Sequence, residues 1–377
     1  MTKTLHDHVP EFIRKIDPYR PGKPVEEVER ELKIRAVKLA SNENPLGPSP
    51  LAVEAVRKYV AECHRYPDGG GYYLREKLAQ RHGVPMENIF LGEGSSELID
   101  LAARILLKPG EEGLTSDGTF PLYRISILAA GGTLIKIPLK DYAFDLDAMA
   151  RAVTPQTRVI YLANPNNPTG TMFSLKEFEA FFRKVSDTSE ALVVLDEAYC
   201  DYVESEDFSV SLHLACTATN LLVLRTFSKV YGLAGMRIGY GVGPVGLLVE
   251  MNKLRTPFNT SNVAQAAAFA ALDDAAHVQR SRESNRAGMQ QMTSRLDALG
   301  VKYIPSYGNF VLVEMGRDSK DVATALLKLG VIVRPMAWMG FPTAIRVTVG
   351  TAEENARFLE ALPKAMQHDA EAKRQGK

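Results

Sequence analysis

The feature that most constrains this chain is a set of three apolar runs, Arg158–Ala163, Ala191–Leu195 and Leu221–Leu224. Each is of strand length and each is closed by polar residues. Runs that are apolar at nearly every position, rather than at alternate ones, belong to strands buried on both faces. The segment Ser174–Val185 lies between the first two. It opens with a capping serine and carries Phe178, Phe181 and Phe182, which predicts a helix. Upstream, Asn88–Leu91 reads as a short strand, and Ser95–Leu107 as a helix through Leu98, Ile99, Ala102, Ile105 and Leu106. This alternation predicts an α/β fold whose mainly parallel sheet is sandwiched by helices. Such sheets bind ligands beyond the C-terminal ends of their strands. The three runs end in Asn-Pro-Asn-Asn-Pro-Thr-Gly (164–170), Asp-Glu-Ala-Tyr (196–199) and Thr-Phe-Ser-Lys (226–229), which marks those tails as the candidate site.

With 377 residues the chain exceeds what one growing core accommodates. We expect an N-terminal arm over 1–44, rich in proline and charge, and a large domain over 45–250. A smaller α+β domain over 251–377 is expected from helices at Ala264–Ala271 and Gln279–Leu299 and strands at Asn309–Val313 and Ala344–Val349. Forty-five basic residues balance forty-five acidic ones, so no global field draws in nucleic acid or an anionic membrane. The three cysteines, Cys63, Cys200 and Cys216, have neither disulfide-framework nor zinc spacing. The first residues lack a signal-peptide apolar segment, and a cytoplasmic setting is the expectation. His6 and His8 read as part of a polar terminus rather than as metal ligands. No Gly-x-Gly-x-x-Gly follows an early strand, which argues against a dinucleotide enzyme.

The tails suit a cofactor bearing an aldehyde, a pyridine ring and a phosphate. Such a group needs an amine at a strand end, a carboxylate for the ring nitrogen, donors for the ring hydroxyl, an aromatic face and an anion cup. The tails offer candidates for these needs. Gly94, Ser95 and Ser96 at a strand-to-helix turn could form the cup, although an ordinary helix N-cap has the same sequence.

The tails, in this order with Leu-Ala-Gly-Met-Arg (233–237), resemble those of the fold-type I pyridoxal-phosphate aminotransferases, and among them the histidinol-phosphate aminotransferase family. The likeness runs from Pro-Tyr-Arg-Pro-Gly-Lys-Pro (18–24) to Arg-Val-Thr-Val-Gly-Thr (346–351). It implies that Lys229 holds pyridoxal 5'-phosphate as a Schiff base, that Asp196 faces the ring nitrogen, and that Tyr199 and Asn167 serve the ring oxygen. It adds Ser228 and Arg237 to the phosphate cup and sets Phe120, which could equally be a core residue, on the ring. Tyr66 would reach the phosphate from the other subunit of a homodimer. Tyr19, Asn42, Arg334 and Arg346 would hold the substrate, the two arginines its anions.

Three departures from the family pattern stand out. Gly118 replaces a proline before Thr119 and Phe120, Glu93 sits beside the phosphate cup, and Gly69–Gly71 should loosen the chain near Tyr66. The implied reaction converts L-histidinol phosphate and 2-oxoglutarate to imidazole-acetol phosphate and L-glutamate. An aromatic amino acid aminotransferase on the same scaffold is the alternative. A decarboxylase of phosphorylated amino acids stays open, and a DNA-binding regulator is disfavoured because the arm is short and not notably basic.

Overall fold

The computed structural model describes residues 4–19, 21–208 and 211–375, so Arg20 of the 18–24 motif lies outside the described residues. Its strands are β1 (Val37–Lys38), β2 (Ile89–Gly92), β3 (Glu112–Ser116), β4 (Thr133–Ile137), β5 (Thr157–Ala163), β6 (Leu192–Asp196), β7 (Leu221–Thr226), β8 (Gly239–Val242), β9 (Tyr303–Ile304), β10 (Phe310–Glu314), β11 (Val331–Ile332), β12 (Arg334–Pro335) and β13 (Ala344–Thr348).

Seven strands form one sheet in the order β2-β8-β7-β6-β5-β3-β4. The three apolar runs are its neighbouring centre, β5, β6 and β7, paired in parallel. Val193, Val194, Leu222 and Val223 lose all exposure, as expected where helices cover both faces. One of those helices, Leu175–Thr188, begins as its sequence predicts. Ser174 and Glu177 cap it reciprocally, a device worth about 1 kcal/mol.

Three strands of this sheet escape the apolar-run criterion. β8 carries two glycines and runs antiparallel to both β2 and β7. β3 begins Glu-Gly. β4 lies at the edge and stays partly exposed along its length. The sheet is therefore mainly parallel, with β8 as the exception.

A second core gathers beneath an antiparallel sheet of order β12-β13-β10-β9, from Val311, Val313, Ile345, Val347, Phe358 and Leu362. The arm is tied to this region, because β1 pairs in parallel with β11 and Val28 packs beside Ala40 and Ile332. Helix Asn262–Ala271 sits elsewhere. Its Ala264, Ala267, Ala268 and Ala271 pack into the core of the seven-stranded sheet, so the packing does not change over at residue 251. The small side chains let this helix lie close against helix Pro50–Tyr59. No helix among the described residues is long and apolar enough to cross a membrane.

Candidate active site

The C-terminal ends of β5, β6 and β7 open on one cavity. Ala163, Asp196 and Thr226 line it beside Lys229, Tyr199, Asn167, Phe120, Ser228, Arg237, Gly94, Ser95, Ser96, Tyr19, Asn42 and Arg346. Thirteen of the fifteen residues proposed from sequence thus meet in one place; Tyr66 and Arg334 do not line it.

Asp196 is the last residue of β6, and successive strand residues point to opposite sides. Its carboxylate faces the cavity, while Glu197 turns away and accepts from Arg225 of β7 at 2.9 and 2.7 Å, pinning the strand tip. Tyr123 Oη donates to Asp196 Oδ2 at 2.8 Å, and the Ala198 N–H donates to Oδ1 at 3.1 Å. Burial pushes the Asp196 carboxyl up to about 6, against the lowering pull of these two donors and of Lys229. The site therefore holds a buried acid poised to gain from a cation. Tyr123 escaped the sequence reading. Its only local signal is its place three residues after Phe120, on the first turn of helix Pro121–Ala129, and its ring stacks on Tyr161 at 5.2 Å.

Lys229 follows β7 at the cavity wall. Burial, and then the positive charge of Arg346, bring its amine down to about 8. Its contacts to the Ser41 and Asn42 carbonyls are long, 3.4 and 3.3 Å, so the amine is loosely held. An amine with that pKa is neutral in useful fraction near neutral pH, as a nucleophile must be.

The rim of the site orients its amides. Arg346 Nη1 donates to Asn167 Oδ1 at 2.6 Å, which leaves the Asn167 Nδ2 donor for the cavity. Arg346 Nη2 donates to the Ala40 carbonyl at 2.7 Å, whereas its buried Nε has no hydrogen-bond partner among the described residues. Asn42, drawn from sequence as a substrate contact, adopts a left-handed φ of 54°. Its side chain is engaged with Tyr199 Oη at 2.9 Å and Thr348 Oγ1 at 3.1 Å.

The anion cup is built from backbone. Helix Gly94–Leu106 starts after Glu93, which forms no side-chain cap, so the first N–H groups have no acceptor from that side chain. Gly94 has φ +69°, and a Cβ there would come within 2.6 Å of Arg237 Nη2. Arg237, itself left-handed at φ 53°, donates Nη1 to the Ala234 carbonyl at 3.0 Å. Ser228 Oγ accepts from Thr226 Oγ1 at 2.9 Å. Glu93 is exposed and does not line the cavity, so its charge leaves the cup undisturbed.

The other departures also have physical reasons. Gly118 has φ +67°, and a Cβ there would press within 2.7 Å of Phe341. The Gly69–Gly71 run differs from the loose segment expected. Asp68 accepts from the N–H groups of Gly70 and Tyr72 at 2.8 and 2.7 Å, and Arg255 donates to the Gly69 carbonyl at 2.6 Å. Beyond the cavity, Tyr66 is 82% exposed and stacks on Phe258 at 4.6 Å. Arg334 is buried between the rings of Tyr19 and Trp338, 5.5 and 5.2 Å from their centroids. Trp338, which the sequence reading passed over, completes that cluster.

The family model for aminotransferase class I and II matches residues 34–362. The chain belongs to the class I and II aminotransferases. Among relatives of this aminotransferase, histidinol-phosphate aminotransferase 1 of Nitrosococcus oceani is 50% identical over 351 residues, covering 93% of this chain and 94% of the relative. Histidinol-phosphate aminotransferase of Moorella thermoacetica is 46% identical over 93% of this chain and 91% of its own. The crystal structure of histidinol-phosphate aminotransferase from Sinorhizobium meliloti, in complex with pyridoxal-5'-phosphate, superposes with a TM-score of 0.87 at 29% identity. It covers 95% of this aminotransferase and 97% of that chain.

Proposed function

We propose that this aminotransferase interconverts L-histidinol phosphate and 2-oxoglutarate with imidazole-acetol phosphate and L-glutamate, using pyridoxal 5'-phosphate. The observation that carries this reading is the convergence of the Lys229 amine, the buried Asp196 carboxylate and the Arg346 guanidinium on one cavity, in a chain whose relatives bear the histidinol-phosphate aminotransferase name.

The residues fit the cofactor. A buried acid matches a pyridinium, an amine brought down to about 8 matches an aldehyde, and helix N–H groups with Arg237 match a phosphate. Gly94, Ser95, Ser96, Ser228 and Arg237 would hold the phosphate. Asp196 would pair with the ring nitrogen, Phe120 would cover the ring, and Asn167 and Tyr199 would donate to its oxygen. The bound cofactor supplies an aldehyde that condenses with amines and a ring that withdraws electrons from the substrate α-carbon.

The protein's own groups do the rest. Asp196, ionised, would keep a proton on the ring nitrogen. Lys229 Nζ would take the proton from the substrate α-carbon as a general base and give it back as a general acid. Arg346 binds the far anion of either substrate, and Arg334 the phosphate, with Tyr19 closing over both. One guanidinium fork accepts carboxylate or phosphate, so a single site can serve a dicarboxylate and a phosphate monoester. Residues 45–250 would carry the cofactor, while the arm 1–44 and residues 251–377 would bring the substrate side. The protein would act as a cytoplasmic homodimer, with Tyr66 of each subunit reaching the other's phosphate.

Absorbance of the protein with pyridoxal 5'-phosphate, followed on adding glutamate, tests the cofactor and the half-reaction together. Steady-state rates with histidinol phosphate against phenylalanine test the substrate. A preference for phenylalanine would replace this reading with the aromatic one.

A further inference from the structure

Thr348 lies in β13, is buried, and does not line the cavity. Its hydroxyl nevertheless stands at the head of a hydrogen-bond chain that runs through Asn42 to Tyr199. The Asn42 backbone N–H donates to Thr348 Oγ1 at 2.9 Å. The hydroxyl keeps its own hydrogen, and Asn42 Oδ1 accepts it at 3.1 Å; with the amide turned over, Nδ2 would donate to the hydroxyl's second lone pair and that buried hydrogen would lose this acceptor. With Oδ1 held, the other end of the amide, Nδ2, faces Tyr199 Oη at 2.9 Å and can only donate there. Tyr199 Oη is thus an acceptor toward Asn42, and no other hydrogen-bond partner for it is found among the described residues.

We infer that Thr348 is a positioning residue which, through the Asn42 amide, turns the Tyr199 O–H into the cavity. This rests on the proposed cofactor, whose ring oxygen is the group the phenol would meet. Asn42 has little other freedom. Its backbone sits at φ 54°, and its carbonyl accepts from Asn309 Nδ2 at 3.1 Å as well as from Lys229 at 3.3 Å. The freedom left is rotation of the amide. Rotated, it would present Oδ1 to Tyr199, capture the phenol hydrogen and withdraw it from the cavity. The Thr348 hydroxyl selects against that rotamer. The other titratable groups around Tyr199 are Lys229, 5.4 Å from its ring centroid, together with Arg346, Asp196, Tyr123 and Tyr202.

The test compares Thr348→Val, which keeps the shape and removes the hydroxyl, with Thr348→Ser, which keeps the hydroxyl. Both are made with and without Tyr199→Phe. Two quantities are read: the dissociation constant for pyridoxal 5'-phosphate, and the pH midpoint of the bound cofactor's visible absorbance. Thr348→Val should weaken cofactor binding about tenfold, the scale of one hydrogen bond to a charged group. It should also move the midpoint to higher pH, because a ring oxygen without the phenol's hydrogen holds a proton on the neighbouring Lys229 nitrogen more firmly. Thr348→Ser should restore both quantities, and in the Tyr199→Phe background Thr348→Val should change neither. Wild-type behaviour of Thr348→Val in both readouts overturns the inference. So does an equal effect in the Tyr199→Phe background, which would mark Thr348 as merely structural. A wild-type protein that develops no visible band with pyridoxal 5'-phosphate overturns the cofactor reading, and the inference with it.

Discussion

Arg334 and Arg346 face each other as register partners across the antiparallel pair β12–β13. Directly opposed residues share one face of a sheet with Cβ atoms about 5 Å apart. Two buried guanidinium groups therefore leave the same short stretch of sheet, one beside Asn167 at the cavity and one between Tyr19 and Trp338. Like charges so placed repel, and Arg334 contributes to holding Arg346 below the usual arginine range, after burial itself. An anionic substrate held by the pair would relieve that repulsion.

The two arginines should separate by substrate. Arg334→Ala should raise KM for histidinol phosphate by about 100-fold, the loss of one or two charge-assisted hydrogen bonds, while moving KM for glutamate less than about threefold. Arg346→Ala should impair both substrates. Steady-state kinetics with each substrate varied in turn make the comparison, and equal effects of the two changes would remove the division of labour.

Tyr123 should help set the acid limit of cofactor binding. Burial raises the Asp196 carboxyl to about 6, and the Tyr123 hydrogen bond acts in the opposite sense, favouring the charged form. Protonated Asp196 cannot pair with a cationic ring, so affinity for pyridoxal 5'-phosphate should fall as the pH drops through about 6. Removing the hydroxyl in Tyr123→Phe raises that carboxyl further, and the loss should begin about one pH unit closer to neutrality. Dissociation constants measured from pH 5 to 8 locate the limb; an unmoved limb in Tyr123→Phe would show that Tyr123 plays no part in it.

Lys229 should govern covalent capture. Because burial and Arg346 lower its amine to about 8, the neutral fraction rises with pH, reaches one half near that value and levels off above it. The rate of cofactor capture by the ligand-free protein should follow the same curve. Borohydride should fix the label on residue 229, and Lys229→Ala should leave no fixed label while still binding the phosphate end. Label on another lysine in the native protein would dismiss the assignment.

Gly94 should tolerate no side chain. A left-handed φ of +69° costs an alanine about 1–2 kcal/mol, and its Cβ would meet Arg237 Nη2 at 2.6 Å. Gly94→Ala should therefore lower the thermal midpoint of the ligand-free protein and weaken pyridoxal 5'-phosphate binding by at least about tenfold through the displaced guanidinium. Inorganic phosphate, which competes for the same cup, should lose affinity in parallel.

These expectations draw unequally on the sequence. Asp196 and Lys229 were legible because one ends a buried apolar strand and the other lies three residues beyond one, where continuous Val and Leu set off the polar tail. β4 and β8 were not, since an edge strand keeps exposed positions and a glycine-rich strand lacks the side chains that betray burial. Tyr123 and Thr348 were invisible for a different reason. Their partners, Asp196 and Asn42, lie 73 and 306 residues away in the chain; Tyr123 sits in none of the quoted motifs, and Thr348 stands in 346–351 only as the neighbour of Arg346. The resemblance supplied Tyr66 and Arg334, which the cavity itself does not contain.

Tyr66 offers the sharpest test of assembly. Tyr66 is 82% exposed, stacks on Phe258 and does not line the cavity of its own chain, and the proposed homodimer would bring its ring to the partner's cavity. If each site takes Lys229 from one subunit and Tyr66 from the other, two inactive variants should complement. Lys229→Ala retains a sound Tyr66, and Tyr66→Ala retains a sound Lys229. A mixed dimer of the two contains one site with both residues and one with neither. Random exchange of equal amounts makes about half the dimers mixed, so about a quarter of wild-type activity should return after co-refolding. Sites built within a single chain would instead leave the mixture at the mean of its two parents.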